Sequence, residues 1–191
     1  MVFKHIYWIL GVIFPIFAYS CILVSVSLAP WFSWYNNALS DLGIYPDTAW
    51  IFNGGLIISG LLYLIFSINL IRDSKDAHSF LAGILLTLDA ICLSLVGLFP
   101  ENFGHIHTLF AILYFLIFPP AFILMIPHFL ATREPLFIIM LFLLGALLGL
   151  SIWFIPWREL GIRGLAIPEL IGSLANSIPI AAYSLYKFFK K

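Results

Sequence analysis

Six stretches of this chain run for about twenty residues almost without a charge: roughly 6–28, 50–71, 79–99, 106–127, 135–155 and 167–186. No other feature constrains the fold as strongly. A hydrocarbon core about 30 Å thick is crossed by roughly 20 apolar residues in a helix. Inside lipid, only helices and closed barrels satisfy every backbone N–H and C=O, and continuous runs of this length predict helices. Composition agrees, since 63% of the 191 residues are hydrophobic and 9% are charged, against about 25% charged in soluble domains. The expected fold is an all-α membrane protein, a single domain over residues 1–191 forming a bundle of six transmembrane helices. The first run is too long for a signal-peptide core and continues to Ala29, so it reads as an uncleaved first helix. A formal net charge of zero gives no electrostatic case for nucleic acid. Cys21 and Cys92 lie inside apolar runs and form neither a disulfide framework nor a metal-type spacing.

The basic residues orient the bundle. With both termini cytoplasmic, the inner side carries Lys4, Arg72, Lys75, Arg133, Lys187, Lys190 and Lys191, and the outer side only Arg158 and Arg163. That split obeys the positive-inside rule for a multi-pass protein of the cell membrane. The inner loops RDSKDAH and ATRE read as plain connectors. Almost everything chemically unusual falls on the outer side.

After the first span comes PWFSWYNNALSDLG. Trp31, Trp34, Tyr35, Ala38, Leu39 and Leu42 fall at helical spacing on one face, with Ser33, Asn36, Asn37, Ser40 and Asp41 on the other. Pro30 suits a helix start and Gly43 a helix end. The expectation is a short interfacial helix over about 31–42, its aromatic residues at the membrane surface; an irregular aromatic loop is the alternative.

LSDLGIYPDTAWIFN (39–53) and LSLVGLFPENFGHIH (93–107) echo one another, sharing Leu, Ser, Gly and Pro and setting Asn53 over His107. This predicts related helical hairpins, spans 1–2 and 3–4, against the competing explanation of chance likeness between Leu-rich segments. In the shared G-x-x-P-[DE] turn, the acid is placed to cap the next helix.

Polar residues inside the runs are the candidate functional groups. Asp89 lies eleven residues from Pro100, about 16 Å at 1.5 Å per residue, near the midplane. An ionisable residue there is a functional-site hypothesis; the plainer reading is interhelical glue, bonded to a Thr87-type hydroxyl or to Asn176. Gly83, Thr87, Ala90, Ser94 and Gly97 form a stripe of small residues, Gly145 and Gly149 a GxxxG pair, and Gly172, Ser173, Asn176 and Ser177 a similar face, suited to close packing or to a second copy of the chain. Glu169 opens the sixth span, either capping it or turning inward beside Asn176. Asp41, Asn53, His107 and Glu169 share one outer level. Turned inward with Ser40 and Arg163 they form one acidic basin, in which His107 bonds Asp41 or Glu169; left outward they are separate caps and loop ends. No HExxH, GxSxG or Gly-rich phosphate loop is present. His105 and His107 are two apart and do not make a metal pair on a helix, so neither a metal nor a cofactor is implied.

At LSDLG…FN, VGLFPE…H and GLAIPE the chain resembles the prokaryotic membrane proteins called domain of unknown function 998, and more distantly the eukaryotic Frag1/DRAM/Sfk1 membrane proteins. The resemblance covers nearly the whole chain. It implies a six-helix bundle and no established activity, and the positions matching its motifs are Ser40, Asp41, Gly43, Asn53, Gly97, Pro100, His107, Pro168 and Glu169. The eukaryotic group's link to lipid organisation implies a lipid-related role.

Three functions follow. The first is a non-enzymatic protein with a polar pocket at the outer leaflet, binding a lipid headgroup or small polar ligand through Ser40, Asp41, Asn53, Asp89, His107 and Glu169, with membrane lipids as partners. The second is an intramembrane lipid hydrolase, with or without a metal. The third is a small transporter with Asp89 carrying a proton.

Overall fold

Residues 3–190 are described by the structure, a computed structural model, with side chains from Tyr7 onward. Lys191 and the side chain of Lys4, both counted above among the basic residues, lie outside the described residues. Six helices follow one another: α1 (Phe3–Ser27), α2 (Pro46–Arg72), α3 (Ala77–Leu98), α4 (His105–Ala131), α5 (Leu136–Ser151) and α6 (Ala166–Phe189). Among the described residues there is no strand. Five of these segments are long and apolar enough to cross a membrane, the last of them running from Leu136 through a short 3₁₀ turn to Phe154. That makes the chain a membrane protein. Helix α6 is less apolar because it carries Glu169, Ser173, Asn176, Ser177 and Ser184, and the structure turns Asn176, Ser177 and Ser184 into the interior.

Each helix packs against its neighbour in sequence, and α6 closes the ring against α1. The outer surface is apolar, with Ile16, Leu23, Met140 and Leu147 each at least 60% exposed, as a lipid-facing surface requires. Aromatic rings fill the middle. Phe14 stacks on Tyr63 with centroids 4.5 Å apart, and Phe122, Phe142, Phe129 and Tyr183 follow in contact. The small residues pack within the chain. A Cβ at Gly60 would come within 2.9 Å of the Ala90 carbonyl, and one at Gly145 within 2.5 Å of the Ala175 carbonyl. That second carbonyl is the one Pro179 leaves without its helical N–H, four residues on, so α5 closes over a backbone group freed by α6.

Connections 28–45, 99–104 and 152–165 gather at one end of the bundle, here the loop end; 73–76 and 132–135 gather at the other, with the start of α1 and the end of α6. Helix starts follow local chemistry. Pro46 occupies the first turn of α2, and the Asp76 side chain accepts a hydrogen bond from the Ser79 N–H at the start of α3. Gly104, at φ 57° and ψ −117°, turns the chain from a 3₁₀ turn at Glu101–Phe103 into α4, a conformation that favours glycine.

The interfacial helix expected over 31–42 is not formed. The stretch is a chain of turns ending in one 3₁₀ turn, Ser40–Gly43. Side chains take over the backbone groups that a helix would pair. Asn37 accepts from the Ser33 N–H at 2.9 Å, and Asp41 accepts from the Ala38 N–H at 3.0 Å and from Asn37 Nδ2 at 2.7 Å. The Tyr35 carbonyl accepts from the N–H groups of Arg163 and Gly164, and the Asn37 carbonyl from Ala166. A Cβ on Gly164 would sit 2.2 Å from the Asn37 oxygen. The 28–45 loop is thus stitched to the segment before α6.

The two echoed segments also differ. Leu93–Leu98 forms the last turns of α3, whereas Leu39 precedes a 3₁₀ turn. Gly43 and Gly97 both close on Asn53: a Cβ at the first would meet its Oδ1 at 2.5 Å, at the second its carbonyl at 2.6 Å.

The connections 73–76 and 132–135, read from sequence as plain connectors, are more than that. Glu134 accepts from Lys187 at 3.2 Å and Lys190 at 3.0 Å, His128 and Asp76 bond at 2.5 Å, and the Tyr7 hydroxyl donates to Asp73. These pairs join residues 52 to 66 apart in sequence, a range over which sequence spacing carries no signal.

Candidate functional site

Two adjoining cavities open beneath the loop end. The outer one, of about 370 Å³, lies between the 38–40 segment, Glu101, α4 and the start of α6; Thr108, Phe115 and Trp153 wall it. The inner one is a narrow slot of about 80 Å³, bounded by Phe14, Ile22, Leu56, Leu93 and Tyr114. Ser40, His107, Ala111, Phe115 and Glu169 border both, so the two cavities share one wall, and each is otherwise lined mainly by apolar groups with a few polar ones.

Each polar group is held by a different device. Glu169, expected either to cap α6 or to turn inward, makes no cap; its Oε2 accepts from the Leu39 N–H at 2.7 Å and pins the 28–45 loop across the bundle. Its carboxyl has Glu101 and Asp41 for charged neighbours. His107, 6% exposed, bonds the Phe99 carbonyl through Nδ1 at 2.8 Å. It therefore bonds neither Asp41 nor Glu169, as the sequence had suggested. A carbonyl only accepts, so Nδ1 carries the hydrogen, and in the neutral ring Nε2 presents a lone pair. Glu101 sits among Ser40, Asp41 and His107. Burial lifts its carboxyl above the usual carboxylate range; Ser40 works against this and the neighbouring Asp41 adds to it. Its Oε2 is buried without a partner.

Of the residues singled out from sequence, Ser40, Asp41, His107 and Glu169 come together. Asn53 does not join them. It donates to the Gly43 carbonyl at 2.8 Å and supports the 3₁₀ turn from beneath. Arg163 contributes its backbone to the loop and its side chain is exposed. Asp89 lies deeper, fully buried, accepting from Asn176 Nδ2 at 2.8 Å with the Tyr63 hydroxyl beside it. It lines none of the three described cavities. Thr87 bonds Ser67 instead, across the α2–α3 contact. Between mouth and centre, Tyr19 bonds Ser177 at 2.9 Å and Ser173 at 3.2 Å along the slot.

Glu101, Phe115 and Trp153 were missed as site residues. Glu101 had a signal, its place in the repeated G-x-x-P-[DE] turn; the two aromatic residues had none. Among the described residues no three of His, Cys, Asp and Glu are arranged to hold a metal ion.

Comparison with curated proteins and with solved structures finds no significant match. A family model described as protein of unknown function (DUF998) matches residues 12–186, from the third turn of α1 almost to the end of α6. With most of α1 and α6 and all of α2 to α5 inside that match, as the LSDLG, VGLFPE and GLAIPE motifs implied, the chain belongs to the DUF998 family.

Proposed function

We propose that this protein is a six-span protein of the cell membrane whose loop-end cavity binds an amphiphile, polar head in the outer cavity and apolar chain in the slot. The observation that carries this is the shared wall: the same Ser40, His107, Ala111, Phe115 and Glu169 border two adjoining, largely apolar cavities, and the outer one adds Glu101 and Thr108. Ligand sites combine largely apolar walls with a few convergent polar groups in this way. Helix α6 counts as the sixth span because its 24 residues reach about 36 Å and its polar side chains point into the bundle. The loop end faces outward, since Arg72, Lys75, Arg133, Lys187 and Lys190 belong to the opposite end and only Arg158 and Arg163 to this one. The hairpin echo is retained as common descent of α1–α2 and α3–α4, their turns having since diverged.

The hydrolase reading needs a nucleophile bonded to a base that is in turn held by an acid. Here the His107 Nδ1 is held by a backbone carbonyl, and no hydrogen bond joins Ser40 to His107. The transport reading needs access to Asp89 from both ends. Phe14, Tyr63, Phe66, Phe122 and Phe129, all below 3% exposed, fill the middle of the bundle.

Native mass spectrometry of the purified protein tests the proposal. The wild-type chain should retain a lipid-sized adduct, and Ala111→Trp, which puts an indole at the wall both cavities share, should lose it while folding normally. An adduct unchanged by Ala111→Trp would place the ligand elsewhere.

A further inference from the structure

The polar groups of the mouth are unbalanced in charge. Glu101 and Glu169 line it with Asp41 beside them, and neither cavity has a lysine or arginine in its wall. Asp41 and one oxygen of Glu169 are committed to the loop, but Glu101 Oε2 is buried and unpartnered. His107 supplies a second, independent sign of a ligand. Its side chain is more than nine-tenths buried, it borders both cavities, and Nε2 has no protein partner. With Nδ1–H given to Phe99, Nε2 accepts. A buried carboxylate oxygen and a ring lone pair left open together call for a donor-rich, positively charged group. The rings of Phe115 and Trp153, in edge contact at 4.7 Å, complete the wall with faces that attract cations.

We infer that the cavity selects a protonated amine, held between Glu101 and His107 against Phe115 and Trp153. This rests on the amphiphile-binding reading and adds the head chemistry. The amine is either the headgroup of a membrane lipid or a free small amine, and a head of net negative charge is disfavoured by the same carboxyls.

The test is a native mass spectrometry titration of the full chain with phosphatidylethanolamine and phosphatidylglycerol of matched acyl chains, with ethanolamine as competitor. Wild type should prefer the amine lipid by about tenfold or more, which is about 1.4 kcal/mol. Glu101→Gln should remove most of that preference, and Glu101→Lys should reverse it. Glu101 lies against Ser40 and Asp41, so a melting curve for each variant confirms folding. Displacement by millimolar ethanolamine assigns the free amine; displacement only by intact amine lipid assigns the headgroup. If both lipids bind equally and Ala111→Trp abolishes both, the amine inference fails and the cavity reading stands. If Ala111→Trp changes nothing, the cavity reading fails and takes the inference with it.

Discussion

Glu101 shows how much one side chain can report. A carboxyl raised above its ordinary 4.5 holds its proton in the folded chain after the unfolded chain has lost it. Stability then falls as pH rises from about 4.5 through the folded value. Glu101→Gln should match wild type at low pH and melt at a higher temperature at pH 8, by thermal-shift measurement at both. A wild-type melting temperature that climbs relative to the variant with pH would contradict the assignment. At Asp89 the bond to Asn176 is the contact that the interhelical-glue reading expects. Asp89→Asn should fold as wild type, while Asp89→Leu, which strands the Asn176 amide, should cost ~0.5–2 kcal/mol. If Asp89→Leu folds normally but alters ligand retention, Asp89 serves the site as well as the fold.

Between elements, two kinds of contact carry the structure, and sequence reveals only one. Helix extents were legible because an apolar run records the thickness of the bilayer, and the small-residue stripe of α3 was legible because close approach needs small side chains. Gly97→Ala should cost about 1–3 kcal/mol, since its Cβ would lie 2.6 Å from the Asn53 carbonyl; a melting temperature within error of wild type would show that α2 and α3 can move apart. The 28–45 loop was not legible. Its aromatic periodicity is genuine, but Asn37, Asp41 and Glu169 redirect the backbone bonds, and the last of these reaches across 130 residues. The charge pairs at the termini end were hidden for the same reason. Glu134 is pushed up by burial but held below its usual range by Lys190 and Lys187, so its contribution is present above about 4.5 and lost as pH falls through the folded value. Glu134→Gln should cost about 0.2–1 kcal/mol at pH 7, a modest figure because both lysines are partly solvated. That difference should shrink as pH falls below about 4.5, as read by denaturant or thermal melts.

For the molecule as a whole, the proposed orientation and occupancy rest on one arrangement: a basic end, where α1 begins and α6 ends, and an acidic end beneath which the cavity lies. Single cysteines in place of Ser74 and Asp47, with Cys21 and Cys92 replaced, should be labelled from the inside and the outside respectively by a membrane-impermeant reagent; the opposite pattern would invert the protein. The central claim is that an amphiphile occupies the cavity under the 28–45 loop. A photoactivatable diazirine side chain placed at Ala111 in living cells, with one at lipid-facing Leu147 as reference, tests this directly. Crosslinks from Ala111 should concentrate in one class of amine-bearing molecule, whereas those from Leu147 should mirror the bulk membrane. Identical product profiles at the two positions, or none at Ala111, would contradict the account.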